Sequence, residues 1–233
     1  MEYIMELNEG TMQVLKNFAQ INPNLVINPG TEIKTMAEAK NVLATAVVSD
    51  EFKTQMGIYD LNEFLGVLGL ISQPELTADE KFATISDTSG RSKIKYYFSD
   101  VSMLTQSTKT VTMPSKDVAF KLDQETLTRL TRAAAALGHN EISISPSGGA
   151  IALTVCDHEN PTSNTYTIDV PGDLAEDVDF TFYISVANIK KLVSGSYTVQ
   201  LSSKCISHFQ LIENDLFKMD YFIALEKHSK YGA

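Results

Sequence analysis

The sequence predicts an α+β chain built as two similar β-rich halves, each with two helices on one face. Three observations lead there. Helical periodicity is confined to four windows. The remainder is short alternating runs of β-branched and aromatic residues, broken by Gly, Pro, Ser and Asp. And the order helix, strands, helix, strands occurs twice, as an internal duplication would give. With 233 residues, 43% of them hydrophobic and 21% charged, the chain can bury one large core or two small ones. It is too apolar for a disordered chain.

Residues 11–22 read as the first helix. Met12, Leu15, Phe18 and Ala19 form its apolar stripe, Gln13, Lys16, Asn17 and Gln20 its polar one, and Pro23 stops it. Residues 25–58 read as strands, with turns expected at Gly30 and Asp50. Residues 60–71 give the second helix, capped by Asp60, with Leu61, Phe64, Leu65 and Leu68 inward. Its Gly66 and Gly69 each cost about 1 kcal/mol against Ala and weaken the helix signal, while Gly in a helix also allows close backbone approach. Short strands fill 72–104, and the Thr- and Ser-rich stretch 105–117 reads as an extended connector.

The pattern then restarts. Residues 123–137 carry the strongest helix, capped by Asp123, ended by Gly138, and buried along Leu127, Leu130, Ala134 and Leu137. Strands follow, with a hairpin turn at Gly148 and Gly149. A short helix spans 186–193, and three further strands close the chain. The two second helices align at a constant offset of 125, since Leu61, Phe64 and Val67 face Val186, Ile189 and Leu192. The expected organisation is therefore a domain over 1–104, a connector over 105–117 and a domain over 118–233.

Enzyme chemistry finds little support. The four histidines are scattered, and no GxSxG, Walker-type or GxGxxG motif occurs. Cys156, Asp157 and His158 are adjacent, but consecutive strand residues point to opposite faces and no CxxC or HxxxH pairing supports them. Neither a metal site nor a cofactor is expected. Asp173, Glu176, Asp177 and Asp179 read as a solvated acidic run. Two distant cysteines make no disulfide scaffold. The absence of Trp disfavours a carbohydrate platform. No apolar run reaches the roughly 18 residues of a membrane span, and residues 1–10 lack a basic n-region, so a cytoplasmic location is expected.

The net charge of −10 argues against nucleic-acid binding unless the 19 basic residues are gathered. Five fall on predicted helices: Lys16, Arg129, Arg132, Lys190 and Lys191. Arg129 and Arg132 share one face, opposite Leu127, Leu130 and Ala134. If the helices pack on one side of their sheets, these charges point the same way. Asp60, Asp123 and Glu125 sit at helix N-termini, where the helix dipole accounts for them. Glu63 has no basic neighbour on its helix.

These residues also carry a family resemblance. VLKNFAQIN in the first helix, IYDLNEFLGVLGLI in the second, VANIKKLVSGSYTVQL and the terminal YFIALE are similar to the T-even bacteriophage sliding clamps. The resemblance runs over almost the whole chain in order. It implies the DNA clamp fold, a homotrimeric ring of two-domain subunits whose helices line a hole for duplex DNA. It implies a DNA polymerase processivity factor and no enzyme. The polymerase and an ATP-driven clamp loader would be partners, with a further role in phage late transcription.

On that reading the DNA-facing residues are Arg129 and Arg132, then Lys16, Lys190 and Lys191. A pocket for partner peptides beside the connector nominates Val111, Met113 and Pro114 with Ala224 and Leu225. The main alternative is a β-rich phage structural or assembly protein with no DNA role. Others are a hydrolase of unrecognised site and a clamp fold serving transcription alone.

Overall fold

The computed structural model describes residues 4–106, 111–173 and 178–232. Residues 107–110 of the expected connector, and Glu176 and Asp177 of the acidic run, lie outside the described residues. The chain forms two compact units, Met1–Thr110 with Asp215–Met219, and Val111–Asn214 with Asp220–Ala233. No helix among the described residues is long and apolar enough to cross a membrane.

The first unit contains β1 (Ile4–Glu6), α1 (Glu9–Phe18), β2 (Leu25–Ile27), β3 (Gly30–Met36), β4 (Val42–Phe52), β5 (Met56–Ile58), α2 (Leu61–Gly69), β6 (Glu75–Ala78), β7 (Phe82–Ser86) and β8 (Lys93–Tyr97). Strands β1, β6, β7 and β8 pair in that order as one antiparallel sheet, β3 pairs with β4, and β2 with β5. Helix α1 begins two residues before the expected start, because the Asn8 side chain caps it by accepting from Thr11 N at 2.8 Å. It seals Val14, Leu15 and Phe18 against β4. Leu15 and Phe18 are buried as expected, but Met12 and Ala19 are only half-buried and Val14 and Asn17 turn inward.

Asp50 makes no turn. Strand β4 runs through it, and its carboxylate accepts from Asn8 N at 2.9 Å, anchoring the start of α1. Asp60 caps α2 as expected, accepting from Asn62 N and Glu63 N. On α2, Leu61, Phe64 and Leu68 are buried, and Phe64 meets Tyr96 of β8 edge to face, centroids 5.1 Å apart. Nothing lies within 4 Å of a side chain added at Gly66 or Gly69, so no close approach within the chain uses them.

The second unit contains β9 (Val118–Leu122), α3 (Gln124–Leu137), β10 (Glu141–Ser147), β11 (Ala150–Cys156), β12 (Tyr166–Val170), β13 (Gly172–Asp173), β14 (Phe180–Ser185), α4 (Val186–Ile189), β15 (Ser196–Ser202), β16 (Ile206–Ile212), β17 (Lys218–Ala224) and β18 (Lys230–Tyr231). Its strands make two antiparallel series, β12-β11-β10-β14-β18 and β13-β9-β15-β16-β17. The pattern of buried residues alternates along β10, β14, β15 and β16, as strands with one sealed face require. Gly148 and Gly149 both have positive φ, 52° and 88°, and form the two-residue turn joining β10 to β11.

Helix α3 is bounded as its sequence dictates. Asp123 accepts from Thr126 N at 2.6 Å, and Gly138 at φ 73° supplies the left-handed residue that ends it. Helix α4 is half the expected length. After Ile189, Lys191 N and Leu192 N bond to the carbonyls of Asn188 and Ile189, so the chain tightens into single turns before Ser194 and Gly195. Helix α3 rests on β11 and β12 and α4 on β14, strands of one sheet, and the helices touch each other. They therefore share one face of that sheet.

Two predictions concern stability. Asp123→Ala should lower stability by about 1 kcal/mol, read from the urea midpoint. Burial, then the nearby Glu63 charge, pushes the Tyr96 hydroxyl up to about 12. The folded chain then keeps a proton that the unfolded chain loses from about pH 10, so this contribution is complete below about 10 and disappears as pH rises towards about 12. Tyr96→Phe should flatten the fall in urea midpoint across that window.

Candidate nucleic-acid interface

Helices lying on a sheet keep one face for solvent, and the expected cations sit there. Arg129 and Arg132 are exposed on α3, Lys16 on α1 and Lys190 just past α4, while Lys191 is half-buried. Within the second unit, α3 and the α4 segment border a cleft of about 320 Å³. Arg132 and Lys190 both line it, with Gln124, Thr128, Thr131 and Ser194. Two cations with the Gln124 amide and the Ser194 hydroxyl suit phosphate oxygens. The polar neighbours escape a reading based on charge alone. Thr128 and Thr131 hydroxyls each donate to a carbonyl one turn back, which commits their protons within α3 and leaves them polar acceptors on this face.

Arg129 does not enter this cleft's lining. Its guanidinium pairs with Glu125, one turn earlier on the exposed helix. Glu125 thus favours the helix N-terminus and also offsets one of the two arginine charges. Lys16 belongs to the other unit, on the exposed side of α1. Glu63 is exposed on α2 with Asn62, Gly66 and Gly69, a face without a cation.

The five residues nominated for a partner pocket fall in the second unit. Leu225 is buried, Val111 and Met113 are half-buried, and Pro114 and Ala224 are exposed. The turn at 202–205 ties the two groups to one edge of the fold. Ser115 Oγ lies 2.6 Å from Ser202 Oγ, Asp117 Oδ2 accepts from Ser203 N, and Leu225 N donates to Cys205 O at 3.0 Å. Burial pushes the Asp117 carboxyl up, but hydrogen bonds from Ser203 and Ser115 more than offset this and hold it below the usual range.

Among the other candidates, His158 does not group with Asp157 but with residues distant in sequence. Its Nδ1 is 2.6 Å from Glu141 Oε2, and its ring stacks on His228 with centroids 3.7 Å apart. Cys156 sits opposite Glu141 in the β10–β11 pairing, and burial pushes its thiol up. His208 instead pairs with Asp220 at 2.8 Å and stacks on Phe222.

Two family profiles match in succession: DNA polymerase processivity factor over residues 8–113, and gp45 sliding clamp, C terminal, over residues 119–227. The sliding clamp of Vibrio phage KVP40 is 32% identical over 95% of this chain and 99% of its own length. That of Enterobacteria phage T4 is 28% identical over 97% and 99%. Among solved structures, the proliferating cell nuclear antigen of Entamoeba histolytica superposes with a TM-score of 0.68 at 14% identity, covering 97% of this chain and 100% of that one. The A. fulgidus protein of the same name, bound to the C-terminal region of FEN-1, gives 0.71 at 13% identity over 98% and 99%. These establish the clamp fold, and the phage relatives establish the family. A structural protein without a DNA role and a hydrolase are both set aside. The chain belongs to the bacteriophage sliding clamps, the non-enzymatic processivity factors that join a replicative polymerase to DNA.

Proposed function

We propose that three copies of this chain close into a ring around duplex DNA, with the helix faces towards the DNA. The observation that carries this reading is the cleft where Arg132 and Lys190 lie among hydroxyl groups on one helical face. Arg129, Lys16 and Lys191 complete the lining, and five cations per subunit, three on helices and two just past α4, give fifteen in a trimer. Domains over 1–104 and 118–233, with a connector over 105–117, supply the repeated unit. A ring holds DNA by topology, so its contacts need only be weak and blind to sequence. The acidic remainder of the chain repels DNA from other surfaces.

Closure by rotation requires a head-to-tail interface. Strands β8 and β12 are the best candidates, since each ends a sheet and leaves backbone groups unpaired by strands. Their exposed charges are complementary, Lys93 and Lys95 on β8 and Asp169 on β12. Val111, Met113, Pro114, Ala224 and Leu225 form the docking site for short hydrophobic peptides of the polymerase and of an ATP-driven clamp loader. The ring works in the host cytoplasm and also assists phage late transcription.

Light scattering across a dilution series tests the ring. About three times 25.7 kDa supports it, and a monomer at every concentration and in the presence of DNA removes it. Lys93→Glu with Lys95→Glu should move the mass towards the monomer. On the DNA face, Arg132→Glu with Lys190→Glu should reduce processivity without unfolding, and more than Arg129→Glu alone, because Arg129 is already offset by Glu125. Equal losses would remove the cleft from its central place. Met113→Asp or Leu225→Asp should weaken polymerase binding about tenfold or more, and unchanged affinity would take them out of the docking site.

A further inference from the structure

We infer that Glu141, His158 and His228, all outside the helices, form a zinc site in the second unit. Their ligand atoms, one carboxylate oxygen and two imidazole nitrogens, all lie within 4.8 Å of one another. They come from three segments: the first residue of β10, the loop between β11 and β12, and the turn between β17 and β18. Both histidines address the same atom. His158 Nδ1 is 2.6 Å and His228 Nε2 3.4 Å from Glu141 Oε2.

The second observation concerns His228. Its Nε2 is sealed from solvent and has no hydrogen-bond partner among the described residues, although the Glu141 carboxylate lies 3.4 Å away. An unsatisfied buried nitrogen beside a carboxylate and a second imidazole costs free energy unless something else meets it. A divalent cation would meet all three ligands at once.

The donor set selects the ion. Two imidazoles with one carboxylate suit zinc, whereas calcium and magnesium take oxygen ligands. In a tetrahedral zinc shell neighbouring ligand atoms stand about 3.4 Å apart. The His228–Glu141 separation already meets this, and the His158–Glu141 separation needs to open from 2.6 Å. The two rings, now 12° from parallel, must also splay so that their lone pairs converge. Both rings sit on turns rather than strands, so side-chain rotation suffices. The cleft of about 280 Å³ beside Glu141 and His158 gives water access to the fourth position. Zinc here would staple the turn at 226–229 to the β10–β11 hairpin.

Calorimetric titration of the full chain with zinc chloride tests this. One zinc per chain is expected, with a rise in apparent melting temperature of roughly 5 °C at saturating zinc, reversed by a chelator. His158→Ala, His228→Ala and Glu141→Gln should each weaken zinc at least about tenfold with unchanged far-UV circular dichroism. Zinc-dependent shifts of the His158 and His228 imidazole resonances read the site in the unaltered chain, should a variant fail to fold. Bound cobalt should show tetrahedral visible bands without thiolate charge transfer. No uptake at about 100 μM zinc, uptake unchanged by the histidine substitutions, or uptake abolished by Cys156→Ser or Cys205→Ser would overturn the assignment.

Discussion

A helix laid on a sheet seals one face, and the opposite face is then the only one it can offer to a partner. In the second unit that constraint places α3 and α4 side by side on strands β10, β11, β12 and β14. Leu127, Leu130, Ala134, Val186 and Ile189 are buried beneath. Thr126 is buried with them. What remains outward is either small or polar: threonines, alanines, Gln124, Glu125, Arg129, Arg132 and Lys190. On the proposed reading, the residues that packing leaves over are the ones offered to DNA.

The charge distribution follows the same logic. A body of net charge −10 would be a poor ligand for DNA if its cations were spread evenly. Gathering a few on helical faces gives local attraction while the remaining surface repels, and Debye screening of about 8 Å at physiological salt keeps the two regimes apart. Glu125 offsets part of the gathered charge by pairing with Arg129. Moderate attraction suits a protein that must move along its partner, since each tight phosphate contact would add friction to sliding.

Most of the architecture was legible because its signals are local. Asp60, Asp123 and Gly138 mark helix ends by capping chemistry, and Gly148 with Gly149 marks a hairpin by positive φ. Where the reading failed, the deciding partner was distant in sequence. Asp50 resembled a turn residue, but its carboxylate serves Asn8 from 42 positions away, and β4 runs on. Asn17 looked solvent-facing and is buried. The α4 segment is shorter than its periodicity implied, because i to i−3 bonds tighten the chain before Ser194 and Gly195. The candidate site divides similarly. The cations were visible as residue types on helices, whereas the joining of Arg132 to Lys190 across a cleft, and of His158 to Glu141 and His228, needed the folded chain.

Topological retention distinguishes a sliding ring from an ordinary DNA-binding protein most directly. The chain would be loaded onto nicked circular DNA with the proposed loader and ATP, separated from free protein, and followed before and after the circle is cut once. Encirclement predicts persistence on the circle at high salt and prompt loss from the ends once the DNA is linear. Equal retention on circular and linear DNA, with release governed by salt alone, would contradict it.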